Sequence, residues 1–144
     1  FQTIYVQVTQ RVPMLIVVSD NGCYYVDTDR RIMPIRERNE IEVPMFKGNV
    51  SQRAATEEYF DFVEWLNGNH YWRERIKDVQ VSTPKYVVVT QKTLPGKIIL
   101  GSLDDYKNKL AKLKKLYTKG LDEIGYPDYR EYDLRFDGQV VARK

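Results

Sequence analysis

The chain has 144 residues, 30% of them charged and 42% hydrophobic, with a formal net charge of +3. This is the composition of one folded domain with a core of its own, which excludes a disordered segment, and the charge is too small to imply nucleic acid. One cysteine, Cys23, excludes an internal disulfide and a cysteine-based metal site, and no run of about 18 apolar residues is present to span a bilayer.

Ile4-Tyr-Val-Gln-Val8 alternates as a strand does, and Arg11-Val-Pro13 breaks it. There is no signal peptide. The chain starts at Phe1 inside this pattern, so the expectation is a fragment whose targeting or membrane segment lies outside it. Met14 to Val18 is an apolar run short enough for a buried strand, and Asn21-Gly22 signals a hairpin leading into Cys23-Tyr-Tyr-Val-Asp27. Thr28 to Arg31 turns the chain into Ile32-Met-Pro-Ile35, Arg36 to Glu42 reads as a charged loop, and Val43 to Gly48 returns to apolar contacts.

Ser51 is placed to cap a helix from about Arg53 to Leu66, with Ala55, Tyr59, Phe62, Val63 and Leu66 on one stripe. Asn67-Gly68-Asn69 ends it. Ile76 to Val81, Lys85 to Gln91 and Lys97 to Leu100 read as strands. A second helix is predicted from about Leu103 to Lys119, with Leu103, Tyr106, Leu110, Leu113 and Tyr117 inward. Lys107, Lys109, Lys112, Lys114, Lys115 and Lys119 spread over its remaining surface as a solvated face. Gly125-Tyr-Pro127 reads as a loop. The sum is an α+β domain, mainly antiparallel sheet with two helices.

At the C-terminus, Asp137-Gly138 lies between two alternating runs and predicts a two-residue hairpin with both central residues at positive φ. That register sets Phe136 opposite Gln139, Leu134 opposite Val141 and Tyr132 opposite Arg143. Tyr132, Leu134, Phe136 and Val141 then share the core face, and Asp133, Arg135, Val140 and Ala142 share the other. The last strand has no downstream strand beyond it, so its backbone is either a protected edge or a site for strand addition.

Catalytic signals are weak. His70, the sole histidine, sits in Asn69-His-Tyr-Trp72 with no Ser or Cys nucleophile motif, which favours a capping or packing role. Cys23 reads as a small buried hydrophobe within a strand. There is no Gly-rich phosphate loop, Rossmann fingerprint, HExxH or EF-hand loop, so no cofactor or metal is expected. Nothing singles out a catalytic carboxylate pair among the 20 acidic residues.

Several stretches resemble one family in order. Val8-Thr-Gln-Arg-Val-Pro13, Tyr25-Val-Asp27 with Ile32-Met-Pro34, Val43-Pro44 with Gly48, and Lys97-Ile-Ile-Leu-Gly101 are similar to the extracytoplasmic part of the bacterial cell-division protein FtsQ, also called DivIB. Above all, so is Tyr132-Asp-Leu-Arg-Phe-Asp-Gly138. The resemblance implies a membrane-anchored, non-catalytic scaffold of the division machinery in the inner membrane, with this domain on the extracytoplasmic (periplasmic) side. Residues 1–10 would be the last strand of a truncated POTRA domain and 11–144 the β domain.

The implied partners are FtsB (DivIC) and FtsL, a strand being added to the last strand of the β domain. Carried over, the contact residues are Arg135, Phe136, Gly138, Gln139, Val140, Ala142 and Arg143. The backbone of Gln139 to Arg143 would pair with the incoming strand, Phe136 would anchor it and Arg135 would meet a partner carboxylate. Val140 and Ala142 would give small apolar contacts, with Leu134 and Val141 as core. The chain departs from the family where many members have glycine after Val-Asp and it has Arg30 or Arg31. It also has Arg143 where some carry an aromatic, and Tyr86 where tryptophan is frequent. The alternative, a peptidoglycan- or glycan-binding envelope domain with weak hydrolase activity, would use Trp65, Tyr71 and Trp72.

Overall fold

Why the chain forms one sheet with its helices on one side follows from where the alternating runs and the two helical stripes fall. The computed structural model describes residues 3–4, 11–35, 42–121 and 129–144. The expected first strand beyond Ile4, most of the charged loop at 36–42 and the loop around Gly125-Tyr-Pro127 lie outside these residues.

Strands β1 (Pro13–Ser19), β2 (Gly22–Asp27), β3 (Ile32–Pro34) and β4 (Met45–Gly48) come first, then helices α1 (Gln52–Thr56), α2 (Glu58–Asn67) and α3 (His70–Arg73). They are followed by β5 (Ile76–Thr83), β6 (Tyr86–Gln91) and β7 (Lys97–Gly101), then α4 (Tyr106–Leu116), which continues as a π-helical turn through Tyr117–Leu121. The last strands are β8 (Glu131–Asp133) and β9 (Val141–Arg143). The nine strands lie in the order β3-β2-β1-β4-β5-β6-β7-β8-β9.

The α+β expectation holds, and the sheet is mixed. The hairpin-linked pairs β1/β2, β2/β3, β5/β6, β6/β7 and β8/β9 are antiparallel. The pairs β1/β4, β4/β5 and β7/β8 are parallel. Two of these parallel pairs are the places where helices intervene, because parallel neighbours need a crossover long enough to return the chain to the same end.

Local chemistry explains the helix ends. The Ser51 hydroxyl accepts from the Ala54 N–H at 3.1 Å, as expected of an N-cap. The first predicted helix is broken at Glu57 (φ −114°, ψ −87°), so its stripe is carried by two rods. Asn69, not His70, caps α3, its side chain accepting from the Trp72 N–H at 3.1 Å. His70 is exposed.

One core cluster joins Leu15, Val17, Val79, Val87, Val89, Ile98 and Leu100 of the sheet to Phe62 and Leu66 of α2 and Leu110 and Leu113 of α4. The Met14–Val18 run is therefore not buried on both sides: Leu15 and Val17 face the helices, while Ile16 and Val18 are half-buried on the outer face. Cys23 corrects the sequence expectation as well. Tyr24 and Val26 take the inner positions of β2, so Cys23, beside the hairpin tip, is exposed. The two-residue turn there is Asp20-Asn21, since Ser19 already pairs with Gly22. Arg30 takes a left-handed position (φ 64°) in the turn that follows Asp27. Its guanidinium meets Asp61 at 2.6 Å and lies 4.3 Å over the Phe60 ring, tying this turn to α2.

Candidate functional site

The terminal strand pair forms, but not as the predicted hairpin. Glu131 pairs with Arg143, Tyr132 with Ala142 and Asp133 with Val141. The connection runs from Leu134 to Gly138 and on to Val140 before β9 begins, and of Asp137 and Gly138 only Gly138 has positive φ (67°). Changing the register by one residue exchanges the faces of β9. Ala142 now lies opposite the buried Tyr132 and, with Val140, packs against the core cluster, while Val141 lies beside Asp133 on the outer face. Leu134 is core as expected; Val141 is not.

Among the described residues no strand pairs with the far side of β9. The Leu134 N–H donates to the Ile99 carbonyl and the Lys97 N–H to the Arg130 carbonyl, so the alternate backbone groups, those of Glu131 and Asp133, face β9. The Arg143 carbonyl in turn accepts from the Arg130 N–H at 2.7 Å. By alternation, the N–H and C=O of Ala142 point to the open edge.

On the outer face a carboxylate is enclosed. Asp133 is 0% exposed, between Ile99 of β7 and Val141 of β9. Its Oδ1 accepts from the Arg135 N–H at 3.1 Å and from Arg135 Nε at 2.9 Å, and its Oδ2 accepts from an Arg135 terminal nitrogen at 2.7 Å. Arg143 adds a bond to Oδ2 at 3.0 Å and one to Glu131 at 3.2 Å. These charge-assisted bonds, those from Arg135 foremost, outweigh burial and hold the Asp133 carboxyl at about 2. The same bonds push both arginines upward.

Arg135 is thus fixed from three sides. Its stem crosses Gly101 (φ 74°), where an added Cβ would lie 2.9 Å from Arg135 Cγ. Its guanidinium lies 5.5 Å from the Tyr86 ring and 6.0 Å from the Phe136 ring. Arg135 and Arg143, two of the residues carried over as partner contacts, are engaged within the chain. Phe136 is 40% exposed on the connection between β8 and β9, and Gly138 and Gln139 are exposed.

Two lysines counted as solvated surface are structural. Lys112 Nζ donates to the carbonyls of Leu134 and Gln139, both at 3.2 Å, and to that of Phe136. Lys109 Nζ donates to Leu100 and Ser102 carbonyls at 2.9 Å each, and burial pushes its ammonium down. Composition hid both, since nothing in a run of lysines marks which ones reach back to a strand end. The Asp133–Arg135 pair did carry a signal: positions i and i+2 of a strand share a face.

The other candidates do not assemble a reaction centre. Trp72 is 1% exposed, and Trp65 is half-buried among Phe62 and Tyr106, so they offer no open aromatic platform. The second buried carboxylate, Asp27, accepts from the N–H groups of Asp29 (2.9 Å) and Arg31 (2.8 Å), which closes the β2–β3 turn. Among the described residues no group of three or more His, Cys, Asp or Glu could hold a metal ion, and no helix is long and apolar enough to cross a membrane.

The model of the FtsQ/DivIB C-terminal related family matches residues 12–143, which spans every strand from β1 to β9. The chain belongs to that family. Membership points to a role in cell division, in a family of membrane-anchored, non-enzymatic division scaffolds. No individual curated protein matches the chain.

Proposed function

We propose that this FtsQ/DivIB-family domain is a non-catalytic scaffold of the bacterial divisome, held outside the cytoplasmic membrane by an N-terminal helix of the full-length protein. It receives a strand of an FtsB/DivIC-like partner, together with FtsL, on β9. In this reading residues 1–10 close a POTRA domain and the remainder is the β domain. The observation that carries it is the edge of β9, open among the described residues, with the Ala142 backbone directed outward and the half-exposed Phe136 on the connection that leads into the strand.

The roles of the carried-over residues divide. Phe136 is the apolar anchor, and the backbone around Ala142 pairs with the incoming strand. Gly138 and Gln139 shape the approach. Arg135 and Arg143 hold the edge from within through Asp133, and Val140 seats the loop on the core.

The test is calorimetric titration with the soluble region of an FtsB/DivIC-like protein, with and without FtsL. Phe136→Ala removes the anchor. Ala142→Pro removes one outward N–H without removing a bond to β8. With folding confirmed by circular dichroism, both are expected to weaken binding by about tenfold or more. Wild-type affinity in both folded variants would remove the interface from this edge.

A further inference from the structure

We propose that Lys112 is a positioning residue that sets the terminal loop for its partner before the partner arrives. The inference rests on the strand-addition reading above. An ammonium has three N–H donors and no acceptor. Lys112 directs them at three carbonyls, those of Leu134, Phe136 and Gln139. These lie at the start, the middle and near the end of one connection, between β8 and β9. The ammonium therefore acts as a cation would in a loop of converging oxygens, drawing together carbonyls whose dipoles otherwise repel.

Its own base is rigid. Leu110 and Leu113, on either side of Lys112 in α4, are fully buried in the core. The same connection carries the half-exposed Phe136 and delivers the chain into β9, so one side chain sets both the anchor and the start of the edge strand. Asp133 fixes the opposite side of the strand pair, where Arg135 and Arg143 converge on it. Without the ammonium, the loop keeps its sequence and its contact residues but loses the interaction that selects one shape. The apparent Kd then rises by the inverse of the fraction of molecules still in the competent shape, so a fall to one tenth weakens binding about tenfold.

Lys112→Met keeps the apolar stem and removes the donors. Its counterpart restores the charge: Lys112→Cys, alkylated with 2-bromoethylamine in a Cys23→Ser background, regains an ammonium at nearly the same reach. Hydrogen exchange at residues 135–142 in the free protein and titration with the soluble FtsB/DivIC-like region are read for each. Lys112→Met is expected to speed loop exchange at least tenfold and weaken binding about tenfold, with slowly exchanging core amides still protected. Alkylation should return both towards wild type. If Lys112→Met does not fold, Lys112→Gln takes its place.

Unchanged loop exchange would overturn the assignment whatever the partner does. Faster exchange with unchanged affinity would also overturn it, as would a loss that the restored ammonium does not repair. Failure of the wild type to bind would instead overturn the strand-addition reading, while exchange in the free protein would still decide whether Lys112 holds the loop.

Discussion

Replacing Asp133 by Asn removes one charge from beneath two guanidinium groups and leaves the shape almost unchanged. In the folded protein the carboxyl is held at about 2, against 3.8 for the free side chain. At about 1.4 kcal/mol per unit, that displacement corresponds to about 2.5 kcal/mol of stability at neutral pH. Arg135 and Arg143 are 41% and 42% exposed, so water screens part of the interaction, and a loss of about 1–2 kcal/mol is expected. The sign follows from a depressed acid. The stabilisation is complete above the unfolded value of 3.8 and disappears as pH falls through the folded value of about 2. About half of it is gone near pH 3. Urea unfolding of wild type and Asp133→Asn at pH 7, 4, 3 and 2 therefore gives two curves that converge in acid. A difference that stays constant over this range, or one below about 0.3 kcal/mol at pH 7, would show that the carboxylate charge is not what holds these strands.

Further tests address the same region. Gly101→Ala forces a side chain into a left-handed position and against the Arg135 stem, so a loss of about 2 kcal/mol in urea unfolding is expected. The observed register is checked by a pair of truncations: Leu134→Ala should cost about 3 kcal/mol, while Val141→Ala, half-buried on the outer face, should cost less than about 1. Equal losses would restore the two-residue hairpin.

What was legible in the sequence was what short-range chemistry decides. Ser51 caps because the free N–H of Ala54 is three residues away, and Phe62 and Leu66 are inward because the helical repeat puts them on one stripe. The terminal hairpin depended on partners far along the chain. Asp137-Gly138 has the composition of a tight turn, yet Lys112, 22 to 27 residues earlier, and the Asp133 clamp stabilise a longer connection and so change the parity of β9. Parallel pairing of β1 with β4 was likewise not readable from alternation, which fixes faces but not neighbours. Arg30 shows the same limit in reverse: a residue with no local preference for a left-handed turn takes it, with its contacts to Asp61 and Phe60 offsetting the strain.

The two ends of the sheet differ in a way that bears on recognition. β3 is three residues long and ends in Pro34, which has no N–H to offer, so that edge is poorly suited to extension. β9 is equally short but has no proline, and its central residue directs both backbone groups outward. Two backbone hydrogen bonds contribute only about 1–3 kcal/mol net. That is less than the roughly 4 kcal/mol or more lost when two molecules associate. Strand pairing at β9 can therefore set direction and register, but it cannot hold a partner by itself. Under the proposed strand addition, affinity comes from side chains, and the candidate is the exposed Phe136, on the loop gathered by Lys112. In that reading a short edge of this kind resists indiscriminate pairing, because a strand without a group to meet Phe136 would gain too little to remain bound.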